Sequence, residues 1–311
     1  MHPARTAVAT TSRLDSRRRL AYQQQMHVEA DPEDPDVRPA TPEEAADPRR
    51  MHAANRVAWD QAAEDYERRL AGSIERLRAG CSSLLPVELE LIGDLHGRCG
   101  HAVHVQCAGG EDTLSLWLAG AGRVTGIDFS PRMLDLAQRL SDALHAPATW
   151  VSADALDLPP ELDGTADLVY TGRGSIMWLQ DLEAWAAGLA RLPRPGGRVV
   201  LFEGHPAEWL FDGDGEGGWM LTDYDYFAGP EASRGWSPAY IARLSLPDRE
   251  QAWKFARAWT LGEVVTALLG SGLRVESVTE HPVDWYGGHR DVHPAERGRL
   301  PLSFSVTATR P

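Results

Sequence analysis

Two hydrophobic rhythms alternate along this 311-residue chain. Short runs rich in Val, Ile, Leu and Ala, bounded by glycine, proline and polar clusters, predict strands over residues 102–107, 123–127, 148–151, 166–170, 197–203, 274–279 and 302–308. Between them, apolar residues recur at helical spacing. Met133, Leu134, Leu136, Ala137, Leu140 and Leu144 mark one helix face, and helices are expected over 181–192 and 261–271. Ser130 and Pro131 form a helix start, serine as cap and proline in the first turn. Upstream, Trp59, Tyr66, Leu70 and Ile74 fall on one side of a helix over 53–77. Strands alternating with helices predict an α/β chain built on a seven-stranded sheet.

The stretch over residues 104–128, HVQCAGGEDTLSLWLAGAGRVTGID, carries the most chemistry. It reads as an apolar strand, a turn of small residues, a helix, and a second strand ending in an acid. Ala108, Gly109 and Gly110 let the backbone approach a ligand closely, and the following helix start aims free N–H groups at the same place. Asp128, about 20 residues beyond the turn, is placed to accept hydrogen bonds from a ribose diol. The turn lacks the G-x-G-x-x-G of nicotinamide and flavin proteins. Gln106, Ala108, Gly110 and Asp112 stand instead at alternate positions.

That alternation resembles the acid-x-Gly-x-Gly-x-Gly turn of class I S-adenosylmethionine-dependent methyltransferases, with Gln106 read at the acid and Ala108 at the first glycine. Further matching pieces follow in order: Asp154 and Ala155 after the third strand, Thr171-Gly172-Arg173-Gly174 after the fourth, and Pro195-Gly196-Gly197 before the fifth. Asn55 to Asp60, Trp178 to Leu182, Glu203 to Pro206, Asp225 to Phe227 and the closing 302–309 complete a resemblance to a bacterial family of small-molecule methyltransferases. The resemblance implies a Rossmann-like, doubly wound, seven-stranded sheet with an antiparallel last strand. It also implies an N-terminal helical lid over 51–80, within a domain over 51–311.

It implies S-adenosylmethionine as cofactor, held by Gln106, Cys107, Ala108, Gly110, Asp128, Phe129, Met133, Asp154, Ala155 and Thr171. Asp154 stands where such enzymes hold the adenine amino group. Trp59 and Tyr66 are lid candidates, or simply anchors of the helix to the sheet. The aromatic-rich insertion over 204–259 and the loop over 285–293 emerge at the carboxyl ends of the strands, where acceptor pockets form in such sheets. Alternatively, their tryptophans make a small core of their own.

Methyl transfer needs alignment, exclusion of water and removal of a proton from the acceptor. His205, just beyond the fifth strand, is the leading candidate base, followed by Glu203, Tyr226, Asp225 and His281. An amine acceptor needs no base at all. His289 and His293 are read as a solvated pair, and no metal site is expected. Thr171-Gly172-Arg173-Gly174 differs from the Asn-Pro-Pro-Tyr type of motif that grips a planar amide or adenine amine, which speaks against DNA adenine and protein glutamine as acceptors.

A net charge of -14 argues against nucleic acid as partner, and no apolar run reaches membrane-spanning length. A small, partly apolar metabolite, methylated at oxygen or nitrogen in secondary metabolism, is the expected acceptor. The expected assembly is a monomer or homodimer. Cys81, Cys99 and Cys107 form no disulfide or metal pattern and fit a cytoplasmic setting. Basic residues are arginines throughout except Lys254. Residues 1–50 are expected to be a disordered tail, because 31–50 is rich in Pro, Asp, Glu and Ala with little to bury. A non-catalytic S-adenosylmethionine-binding regulator and, less favoured, a nicotinamide-dependent oxidoreductase remain as alternatives.

Overall fold

The computed structural model describes residues 36–237, 240–242 and 244–311. A seven-stranded sheet forms its centre: β1 (His101–Val105), β2 (Arg123–Asp128), β3 (Ala148–Ser152), β4 (Ala166–Gly172), β5 (Pro193–Gly204), β6 (Arg274–His281) and β7 (Ser303–Thr309). Their spatial order is β6-β7-β5-β4-β1-β2-β3, and β7 pairs antiparallel with both β5 and β6. This is the Rossmann-like arrangement with a reversed last strand. Strand order turns back between β1 and β4, so the connections leaving these two carboxyl ends diverge and open a crevice.

The helices of seven residues or more among the described residues are α1 (Pro48–Arg78), α2 (Pro86–Ile92), α3 (Glu111–Leu118), α4 (Pro131–Leu144), α5 (Leu182–Arg191) and α6 (Leu261–Gly270). Successive strand residues face opposite sides, so Ala102, Leu168 and Val200 join Trp59, Leu116 and Leu140 on one face. Val103, Val169 and Leu201 join Trp185, Leu189 and Leu268 on the other. A parallel sheet covered on both faces explains the continuous apolar runs that mark its strands. Each fully buried leucine contributes roughly 1.5–3 kcal/mol. Helix starts are set by side chains: Ser130 Oγ accepts from Met133 N, Asp181 Oδ1 from Ala184 N, and Thr260 pairs reciprocally with Glu263.

Two expectations change. β5 begins at Pro193 rather than 197, because the chain around Pro195-Gly196-Gly197 stays in the sheet through a register shift against β4 between Ala166 and Leu168. Residues 36–50, expected within the disordered tail, are ordered; residues 1–35 lie outside the described residues. Val37–Pro39 pairs antiparallel with Glu231–Ser233, which in turn pairs with Lys254–Ala256. Val37 is buried there, and the Arg38 guanidinium lies 5.0 Å above the Trp253 ring. Composition counts only local apolar content. It could not register a strand whose partner comes from the 204–259 insertion.

Candidate active site

The turn after β1 holds three left-handed residues at alternate positions: Gln106 (φ 64°), Ala108 (φ 44°) and Gly110 (φ 83°). Residues with a Cβ seldom adopt this conformation, and glycine is favoured in it. The backbone therefore sets the register of the turn. Positions 106, 108 and 110 are its glycine positions, and the acid position is His104, not Gln106. Buried His104 bonds Thr113 Oγ1 at 2.9 Å, and burial pushes its pKa down to about 4. A neutral imidazole thus occupies a site where the resembled family carries a carboxylate.

Asp128 at the end of β2 ties the turn down. Its carboxylate accepts from Ala108 N at 2.8 Å and from Ser130 N at 2.9 Å. Burial raises its pKa to about 6 in spite of these bonds. Gln106 Nε2 donates to Ser175 O at 2.8 Å, while its Oε1 is buried with no partner among the described residues. A Cβ on Gly109 would lie 2.7 Å from Tyr66 Cδ1, so helix α1 presses directly on the turn.

Helix α1 forms the roof. His52 Nδ1 lies 2.8 Å from Asp154 Oδ1, and its Nε2 accepts from Gln180 N. The second bond makes Nε2 the acceptor, so Nδ1 carries the proton and donates to Asp154. Burial pushes the Asp154 pKa up, but the interactions with His52, the Leu156 amide and Arg49 together outweigh it and leave the pKa below the ordinary value. One helical turn on, buried Asn55 spans two segments: Nδ2 donates to Trp178 O and Phe255 O, and Oδ1 accepts from Phe255 N. Trp59 then meets Trp178, Trp236 and Tyr240 edge-on, with ring centroids 5.1–6.0 Å apart.

A charged network forms the floor. Arg173 (φ 56°) bonds Asp112 and lies 3.4 Å from Glu88. Glu88 also accepts from the Tyr170 hydroxyl and from Leu85 N. Burial raises the Glu88 pKa to about 7, against the pull of Arg173. Roof, turn and floor enclose a cleft with about 770 Å³ of empty space, open at its mouth.

Residues 102–197 match the family described as "Methyltransferase domain". The chain is similar to the demethylmenaquinone methyltransferase of Thermus thermophilus, 37% identical over 102 residues, or 32% of this chain and 46% of that protein. It is also similar to the malonyl-[acyl-carrier protein] O-methyltransferase of Serratia marcescens, 34% identical over 87 residues, or 28% and 31%. Both matches span less than half of the relative's length. A solved S-adenosylmethionine-dependent methyltransferase from Mesorhizobium loti shares the fold, with TM-score 0.52 and 22% identity over 72% of this chain and 96% of that one. Residues 102–197 thus match a methyltransferase domain, and the chain shares the fold of an S-adenosylmethionine-dependent methyltransferase.

In the cleft the structure brings together Trp59, Tyr66, Gln106, Cys107, Ala108, Asp128, Phe129, Asp154 and Ala155. Three candidates stand behind it. Gly110 starts α3, where a Cβ would strike Trp150 and Ala137. Met133 is core, and Thr171 is buried with its hydroxyl 3.2 Å from Ser175 Oγ.

The candidate bases do not line the cleft. His205 Nδ1 accepts from Ala207 N, and its buried Nε2 lies 2.9 Å from Glu280 without hydrogen-bond geometry. Burial lowers its pKa, against the pull of Glu280. Glu203 accepts from the amides of Gly174, Ser175 and Ile176 and from Ser175 Oγ, fixing the loop after β4. Tyr226 packs against exposed Phe227, Asp225 accepts from Phe227 N, and His281 pairs with Ser305 on edge strand β6. The supposed solvated histidine pair also divides: His289 is buried against Trp219, and His293 caps the helix Pro294–Arg297.

Sequence reasoning missed His52, His104, Arg173, Ser175, Trp178 and Tyr240 as lining residues. For Arg173 a signal existed, since an arginine between two glycines at a strand's carboxyl end lies where such sheets bind ligands.

Proposed function

We propose that the chain is an S-adenosylmethionine-dependent methyltransferase that methylates oxygen or nitrogen of a small, partly apolar metabolite, in the secondary metabolism of its cell. The observation that carries this reading is the orphaned Gln106 Oε1, buried on the left-handed turn beside Asp128. A buried acceptor without a donor is costly, and a ligand ammonium or hydroxyl arriving in the cleft relieves that cost.

Asp128 would hold the ribose diol and Asp154 the adenine edge, with Gln106 and Arg173 at the methionine end. Trp59 and Tyr66 would roof the site and exclude water. When bound, S-adenosylmethionine supplies a methyl group made electrophilic by a sulfonium. The 204–259 insertion would shape the acceptor pocket, its aromatic faces turned to a flat or greasy partner.

Calorimetric titration with S-adenosylhomocysteine tests the reading, with micromolar binding expected. Asp128→Ala should weaken that binding by about 1.5–3 kcal/mol, the scale of lost charge-assisted hydrogen bonds. Unchanged affinity would move the ribose elsewhere. A second reading, a regulator that binds the cofactor without turnover, is favoured by the neutral His104 at the acid position. Labelled methyl transfer to any acceptor in a small-molecule panel would eliminate it.

A further inference from the structure

Beyond the wall of the cleft formed by Gly174, two polar groups are buried without partners. Glu208 is 2% exposed in the short helical turn Pro206–Leu210, and its Oε2 has no hydrogen-bond partner among the described residues. The Trp285 indole Nε1 is buried and unpartnered in the same way. The two converge: a Cβ built on Gly204 would lie 2.9 Å from Glu208 Oε1 and 3.2 Å from Trp285 Nε1. The far edge of the same indole packs against Gly174, itself a lining residue of the cleft: a Cβ on Gly174 would lie 3.2 Å from its Cη2.

Glu208 is a poor structural residue. No described ion pair includes it, and burial, with Asp284 and Glu203 nearby, pushes its carboxyl well above the usual carboxylate range and so favours the protonated form. The neighbouring acids have their own partners. Asp284 accepts from the amides of Gly287, Gly288 and His289, and Glu203 from those of Gly174 to Ile176. An orphaned buried carboxyl lowers the stability of the fold, and such liabilities collect where a ligand completes the set.

We propose that Glu208 and the Trp285 indole N–H form the polar end of the acceptor site and take an uncharged small molecule presenting a hydroxyl or carbonyl oxygen. A protonated carboxyl both donates and accepts, and the indole donates, so together they match a neutral oxygen group. The surrounding acids repel a carboxylate or phenolate. This inference deepens the methyltransferase reading and names the acceptor class.

The test uses the full chain, with wild type, Glu208→Met, Glu208→Gln and Trp285→Phe. Without ligand, Glu208→Met should melt a few degrees above wild type, because it replaces an orphaned carboxyl by an apolar side chain of similar length. A lower melting temperature would make Glu208 structural and overturn the proposal. The second readout is 4-nitrophenol, titrated near neutral pH with and without S-adenosylhomocysteine. Wild type should bind the neutral phenol and bleach its phenolate band. Glu208→Met and Trp285→Phe should each weaken binding about fivefold or more, the scale of one lost hydrogen bond, while Glu208→Gln stays near wild type. Binding indifferent to Glu208, binding of the phenolate, or no binding overturns the proposal. Calorimetry run in parallel separates the two readings. Lost cofactor affinity with Glu208-dependent phenol binding would sink the methyltransferase reading alone, and the reverse pattern would sink the acceptor site alone.

Discussion

Asn55 is the joint on which the roof of the cleft hangs, and Asn55→Ala measures how much it holds. Its side chain is fully buried, donates to Trp178 O (3.1 Å) and Phe255 O (2.9 Å), and accepts from Phe255 N (2.6 Å). Truncation to alanine strands one buried N–H, at a cost of roughly 1–3 kcal/mol. It also takes one donor from each of two carbonyls, a smaller loss because each carbonyl has a second lone pair. The expected total is about 3 kcal/mol, near the upper part of the range for single substitutions. At about 2–4 °C per kcal/mol for a chain of this size, melting should fall by roughly 6–12 °C.

Asn55→Asp sharpens the test. Its carboxylate still accepts from Phe255 N but turns an oxygen, with no proton, toward two carbonyls. Its loss at neutral pH should exceed that of alanine and shrink on acidification, when the carboxyl regains a donor. Differential scanning fluorimetry across pH reads both. Melting of Asn55→Ala within about 2 °C of wild type would refute the reasoning, since that is under 1 kcal/mol.

Two further outcomes follow from other parts of the molecule. The Glu88 pKa is raised from 4.5 to about 7, so the folded state holds this proton more tightly than the unfolded chain. Its contribution to stability is then complete below about pH 4.5 and is lost as pH rises through about 7. Glu88→Gln should reduce the pH dependence of urea unfolding over that window, leaving the part due to the other raised carboxyls, among them Asp128, Asp212 and Glu231; an unchanged slope would show that Glu88 is ionised in the fold. Deleting residues 1–46 removes the strand Val37–Pro39 and the burial of Val37, worth about 2 kcal/mol, so melting should fall by about 4–8 °C. An unchanged melting temperature would show that this strand carries no load.

The sheet was legible because its strands are buried on both faces and its helices open on Ser130, Asp181 and Thr260, signals that are local in sequence. That Asp128 and Asp154 line the cleft was legible for a related reason: Asp128 ends one strand and Asp154 follows the next, and parallel pairing carries both to the cleft. The register of the turn was not. Letters alone do not give φ, and Gln106 and Ala108 hide left-handed positions that glycine would have advertised. His205 and Glu203 were correctly placed near the carboxyl end of β5, but Glu203 is held by the amides of Gly174 to Ile176, and His205 bonds Ala207 N beside Glu280. His52 escaped notice because its role depends on Asp154 and Gln180, both more than a hundred positions away.

The small sheet that joins Val37–Pro39 to Glu231–Ser233 and Lys254–Ala256 also sets an order of events during synthesis. The first of these strands leaves the ribosome early, and its neighbour Glu231–Ser233 is made only after five strands of the central sheet. Loop-closure entropy must be met across that whole interval before the pairing returns any free energy. The turn and Asp128 can assemble from a nascent chain that ends shortly after β2. The Asn55 joint cannot, because it needs Phe255. A growing chain can thus shape the floor of the cleft well before it can close the roof, and ligand retention becomes a property of the finished polypeptide.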